Sequence, residues 1–188
     1  MRFLMSFLAA MALLLAAPLL TAPRALADQT DPALEALFLE LRDGSVIDAE
    51  ETTNRIIEIW AQSASPTASL LYQRAELAYE NDDYDLAQIL LTHATGLAPN
   101  FAQAWALSGM VARQQGDPER ALRAYDKVLA LEPRHFPVRL QLADMLLSSG
   151  EDRAAYDMLQ EVLKWNPHIE RARKQAIRLR NRLSGEAI

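Results

Sequence analysis

Apolar side chains in this chain fall at helical spacing, and the helical segments themselves recur. Near the C-terminus Ile169, Ala172, Ala176, Leu179 and Leu183 lie three or four residues apart, which makes one apolar stripe along a last helix. Near the N-terminus, residues 32–43 and about 48–63 read as two apolar-periodic helices, joined through Asp43-Gly44-Ser45 and closed by Ser65-Pro66. Asp31 before Pro32 starts the first of them, and Asp48 followed by Glu51 forms a capping-box-like start to the second. Between these ends the pattern has a longer period. Pro99, Pro133 and Pro167 stand 34 residues apart, and so do Ala75, Gly109 and Ala143, then Ala87, Ala121 and Ala155. Leu91, Tyr125 and Leu159 keep the same interval, as do Asp82, Gly116 and Gly150. Such a register marks a helix pair that cannot bury its apolar face alone and stacks on further copies of itself.

Each recurring residue has a mechanical reason. Small residues at the eighth and twentieth places let two antiparallel helices approach closely where they cross. Gly116 and Gly150 fall where a left-handed residue ends the first helix of a pair most cheaply. Asp82 in Asn81-Asp82-Asp83 takes that place in the first cycle, since Asn and Asp tolerate the left-handed region better than other residues with a Cβ. The proline at the end of each cycle cannot continue a helix and biases the residue before it toward extended backbone.

With cycles at 68–101, 102–135 and 136–169, the middle one reads Trp105, Gly109, Gly116, Ala121, Tyr125 and Pro133. The third supplies Leu142, Ala143, Leu146, Gly150, Ala155, Leu159 and Pro167, and the first Ala75, Tyr84, Ala87, Leu91, Ala94 and Pro99. This pattern resembles the tetratricopeptide repeat. Arg139 stands at the Trp105 place, and Arg74 and Ser108 stand where the family prefers a large aliphatic residue, departures expected to weaken individual packing contacts. The resemblance implies an all-α fold, a right-handed α-solenoid of three helix pairs. Residues 28–67 are then a degenerate repeat or N-terminal cap, and residues 170–188 a basic capping helix and tail. Ile59-Trp60, Ser65-Pro66 and Leu131-Glu132-Pro133-Arg134-His135-Phe136, with a short leader, also look like the small exported tetratricopeptide proteins of alphaproteobacteria. For those proteins a proposed role concerns cell-envelope integrity or assembly.

The first 27 residues belong to another physical class. Arg2 precedes an apolar stretch from Phe3 to Ala17, Pro18 breaks it, and Ala25-Leu26-Ala27 is a small-x-small site. These are the three regions of a secretory signal peptide, with cleavage expected after Ala27 and a periplasmic destination; an uncleaved anchor is the alternative. No cysteine is present, which excludes disulfides, an N-terminal lipidated cysteine and covalent haem attachment. The formal net charge is -6, and removing Arg2 and Arg24 makes the chain more acidic, which argues against bulk nucleic-acid binding. The exception is the last helix, where Arg171, Arg173, Lys174, Arg178, Arg180 and Arg182 could touch anionic lipid; a solvated face that balances the acidic array is the plainer reading.

Catalytic chemistry finds no support. His93, His135 and His168 lie too far apart for a local ligand motif, and the latter two read as polar residues of inter-repeat turns. Asn81-Asp82-Asp83-Tyr84-Asp85 lacks the central glycine and distal glutamate of a calcium loop. No phosphate loop or nucleophile elbow occurs, so no cofactor or metal is expected. In tetratricopeptide proteins the concave surface is lined by five places on the first helix of each repeat. Here the resemblance carries these onto Ser69, Tyr72, Glu76, Tyr79 and Glu80, then Gln103, Ala106, Met110, Arg113 and Gln114, then Pro137, Leu140, Asp144, Leu147 and Ser148. The lysines and asparagines with which the family's chaperone-tail clamps hold a terminal carboxylate are absent, so an acidic C-terminal tail is a poor ligand. The expectation is a non-enzymatic scaffold binding a peptide segment or helix of an envelope protein. Tyr72, Tyr79, Met110, Leu140 and Leu147 would give apolar contact, and Glu76, Glu80 and Asp144 would favour basic ligands. At each place packing against a neighbouring helix is the alternative. A membrane-associated subunit and, less favoured, a small-molecule binder or enzyme are the rival functions.

Overall fold

The computed structural model describes residues 29–185, so the expected leader and the last three residues lie outside it. Among the described residues are α1 (Ala33–Asp43), α2 (Val46–Trp60), α3 (Pro66–Glu80), α4 (Tyr84–Leu97), α5 (Ala102–Gln114), α6 (Pro118–Leu131), α7 (Phe136–Ser148), α8 (Asp152–Trp165) and α9 (Glu170–Ser184), with no strand. The repeat pairs are α3–α4, α5–α6 and α7–α8, stacked in an all-α solenoid.

The turns inside the pairs close by one chemistry. Asp82, Gly116 and Gly150 have φ of 60°, 74° and 79°, the left-handed region. Just beyond them the N–H groups of Asp83, Asp117 and Glu151 donate to the carbonyls of Ala78, Ala112 and Leu146 at 2.8, 2.9 and 2.9 Å, which satisfies the helix ends. The Tyr84 hydroxyl also donates to the Asp82 carboxylate, so the non-glycine turn is tied from its side chain. Between pairs, Ala98, Glu132 and Asn166 are extended ahead of their prolines. Trp105 Nε1 donates to the Pro99 carbonyl at 3.0 Å, and Arg139 Nη2 donates to the Pro133 carbonyl at 2.8 Å. Arg139 therefore holds its turn through the same bond as the tryptophan it replaces, and the loss expected from that departure is offset.

The small residues match their partners in volume. Ala75, Leu91, Ala143 and Leu159 are fully buried, whereas the middle repeat sets Gly109 against the buried Tyr125 ring. A Cβ at 109 would collide with that ring. The larger side chain at the Leu91 place thus requires the smaller one at the Ala75 place.

The N-terminal pair forms, but two expectations about it are corrected. Helix α2 begins at Val46, because Ser45 caps it: Ser45 Oγ accepts from Asp48 N at 3.4 Å and donates to Asp48 Oδ2 at 2.5 Å. Ser45 and Asp48 form an earlier cap-and-acid pair than Asp48 and Glu51, and helix propagation follows from the first one available. The pair also does not cap the first repeat. It folds back onto the third, with Phe38 against Phe136 and Trp165 at ring separations of 6.5 and 5.8 Å. Trp60 stacks on His135 at 4.4 Å. The reason is aromatic complementarity: the turns around the third repeat present Phe136, His135 and Trp165, while the front of the first presents leucines around Arg74. Ala172, Ala176 and Leu179 of α9 are buried and close the other side of the same core cluster, leaving Leu183 exposed.

Candidate peptide-binding groove

Helix α2 runs past the N-terminal ends of α7 and α9. Trp60 lies at the start of α7, and Thr53 accepts a hydrogen bond from Asn166 Nδ2 at 3.1 Å in the turn before α9. Seven residues of helix span about 10.5 Å, close to the ~8–10 Å between packed helices. One step along the solenoid is therefore bridged by two turns of α2. The anchor is the segment between α6 and α7. Buried Glu132 accepts from Arg134 N, Nε and Nη2 at 2.9, 2.9 and 2.8 Å. The guanidinium so fixed lies 4.7 Å over the Phe38 ring and 3.4 Å from Glu35.

His135 completes this anchor and is not the polar turn residue its sequence position suggests. It is buried, and its Nδ1 accepts from Val138 N at 3.2 Å, which leaves the proton on Nε2, 2.9 Å from Gln103 Oε1. Burial holds its pKa down to about 3, so the ring is neutral. His93 is exposed on α4 and His168 half-buried beside α2. Among the described residues no three His, Asp or Glu side chains cluster as a metal site would require.

The fifteen lining places divide into a covered strip and an open one. On the covered strip Ser69 Oγ accepts from Ser63 N at 3.1 Å, Gln103 is committed to His135, and Leu140 packs on the cluster holding Trp60 and Ile56. Ala106 is buried in the solenoid core and Pro137 half-buried at the start of α7. Tyr72 is only 1% exposed, packed on Phe101 at 5.1 Å with its hydroxyl donating to Glu76. Burial pushes its pKa up, with the Glu76 charge adding to the effect. Tyr72 therefore supports the groove from beneath.

The open strip lies toward the C-terminal ends of α3, α5 and α7. Glu76 is half-buried and its pKa is raised, first by burial and then by Glu80 one turn on, against the opposing Tyr72 hydrogen bond. Glu80 is exposed. Tyr79 packs on Tyr84 at 5.6 Å and accepts from Gln114 Nε2 at 3.3 Å, which joins the first two repeats across the surface. Met110 is half-buried, and Arg113 donates to Gln141. Arg113, Met145 and Ser148 line a cavity of about 220 Å³ at this rim. Leu147 is half-buried on the α7–α9 cluster. Asp144 is ion-paired with Arg171 of α9, so its charge is already answered within the chain.

The basic helix is likewise partly engaged. Besides Arg171, Lys174 pairs with Glu170 at 2.6 Å and Arg182 with Asp152 at 2.8 Å; Arg173, Arg178 and Arg180 make no ion pair among the described residues. No helix among those residues is long and apolar enough to cross a membrane. Sequence reasoning missed Phe38, Trp60, Arg134 and His135 as one anchor. The available signal was the contrast of Glu132-Pro133-Arg134-His135-Phe136 with Ala98-Pro99-Asn100-Phe101-Ala102 at the same register.

Two tetratricopeptide repeat family profiles match residues 72–133 and 112–178. A TPR repeat-containing protein of Rhizobium etli is 29% identical over 153 residues, 81% of this chain and 75% of that protein. The Surface lipoprotein assembly modifier of Pasteurella multocida is 34% identical over 103 residues, 50% of this chain and 20% of that protein. Among solved structures, the first TPR of Spaghetti bound to an HSP90 peptide superposes with a TM-score of 0.59 at 14% identity, covering 64% of this chain and 95% of that one. The chain belongs to the tetratricopeptide repeat family.

Proposed function

We propose that this protein is a non-enzymatic periplasmic adaptor that holds a basic, amphipathic segment of another cell-envelope protein on the open strip of its concave surface. The observation that carries the reading is Glu76. Its half-buried carboxyl, with a raised pKa and Glu80 beside it, has no cation against it among the described residues. A lysine or arginine of a ligand would supply that charge, while Tyr79 and Met110 offer apolar contact on either side. Supporting this direction, a fold neighbour was solved with a peptide bound, and the Pasteurella relative carries the name surface lipoprotein assembly modifier. Peripheral membrane contact through α9 is the weaker reading, because half of its six cations are already ion-paired.

The test is in-cell photocrosslinking from position 110, followed by identification of the captured envelope protein, with fractionation and N-terminal sequencing of the chain itself. Glu76→Gln combined with Glu80→Gln is expected to reduce capture at least fivefold, and Arg178→Gln to leave it unchanged. Equal capture by the double variant ends the groove assignment, and recovery of the chain in the cytoplasm ends the periplasmic one.

A further inference from the structure

The repeat register shows what the first repeat lacks. In the second and third repeats the front of each pair is covered by the pair before it: Ala104 and Val111 are fully buried, and Val138 and Leu142 are 2% and 7% exposed. The matching places in the first repeat are Leu70, Leu77 and Arg74. Leu70 and Leu77 are 49% and 59% exposed, and Leu77, Leu86 and Leu90 line an open cleft of about 390 Å³ with Arg74 and Asp83 at its edge. The hairpin that precedes this repeat in sequence would be its natural cover, but it is committed to the third repeat.

We propose that this face is the interface of a two-fold symmetric homodimer, in which a second copy of the chain lies front to front on the first repeat. Three properties select that occupant. The face carries its own complement, since Arg74 makes no ion pair among the described residues and Asp83 borders the same cleft, as an isologous contact requires. Front-to-back stacking is disfavoured, because it would bury the unpaired Arg173, Arg178 and Arg180 of α9 against leucines. The size fits a weak, transient pairing: two helices about 22 Å long lying ~10 Å apart present a footprint of roughly 450 Å² per copy, about 900 Å² in total. A pairing of this size is expected to dissociate on dilution, so a concentration series reads it.

The experiment is sedimentation of the chain as its own host processes it, over about 1–200 µM, with circular dichroism as the control for folding. The wild type is expected to pass from monomer to dimer, and Leu77→Glu to stay monomeric with an unchanged helical spectrum. Leu70→Glu is the second variant should Leu77→Glu not fold. Ile177→Glu, on α9, is expected to dimerise as the wild type does. A wild type monomeric throughout, open-ended oligomers, a dimer that survives both leucine variants, or one abolished by Ile177→Glu would overturn the proposal.

Discussion

The first and third repeats share one register and meet opposite surroundings. The third is enclosed: α9 covers one side, and the α1–α2 hairpin covers the turns on another with Phe38 and Trp60. Among the described residues the first packs on the second repeat behind it and meets the linker after α2 through Ala61 and Ser63, and its front leucines are exposed. Helix propensity and turn chemistry do not separate them, for both have a left-handed turn residue and a capped or N1-proline start. What separates them is the side chains at their rims. A repeat array specifies how a pair stacks on its neighbour, whereas a non-repeating segment goes where individual aromatic and charged residues meet it.

The largest change to this asymmetry is expected from Trp60→Ala. Trp60 is fully buried, stacks on His135 and packs on Phe38 and Phe136. Its removal is expected to cost about 3–5 kcal/mol. The cost should fall on the hairpin, because α1 and α2 owe their docking to that cluster, and hydrogen exchange would locate it. Protection is expected to collapse over residues 33–60 while α3–α6 retain theirs. Equal loss throughout would mean that hairpin and array fold as one unit, and the contrast drawn between them would fail.

Next in size is Gly109→Ala, which acts on the array and leaves the hairpin contacts untouched. The added methyl must displace the Tyr125 ring inside the middle repeat, and overpacking of this kind costs about 1–3 kcal/mol. Adding Tyr125→Leu restores the Ala–Leu pairing found in the first and third repeats, so it is expected to recover most of the lost melting temperature. A double variant no better than the single one would show that the 34-residue register does not set the volumes.

The fold was legible to the extent that it repeats. Prolines at 99, 133 and 167, the small residues of each crossing and even the Asp82 turn could be placed because three cycles carry the same physical demand. The docking of α1 and α2 was not legible, because it depends on Trp60, Phe38 and Arg134, which occur once and have no periodic counterpart. The candidate site was legible only as a set of places. Numbering could assign Tyr72, Asp144 and Glu76 to the concave surface, but not that Tyr72 is covered, that Asp144 is paired with Arg171, or that Glu76 has no cation against it among the described residues. Those outcomes depend on contacts more than 20 residues away in sequence, as the 27-residue separation of Asp144 and Arg171 shows.

The smallest predicted effect bears on whether the first repeat is shaped for a ligand. Burial raises the Glu76 pKa above 4.5, so ionising it is less favourable in the folded chain than in the unfolded one. The sign follows: the stability associated with its protonated form is present at pH below 4.5 and is lost as pH rises through the raised value. Gln at this position still accepts the Tyr72 hydroxyl and carries no charge to desolvate. Glu76→Gln is therefore expected to raise stability at pH 7 by less than about 1 kcal/mol, the half-exposed setting limiting the gain, and to change nothing at acid pH. The same substitution is expected to weaken capture of a basic partner. Higher stability together with weaker capture would mark Glu76 as a residue that serves ligand binding and not the fold. A Glu76→Gln variant that melts no higher than wild type at pH 7 would place this carboxyl in the same ordinary solvation as exposed Glu80, and remove the reason for singling it out.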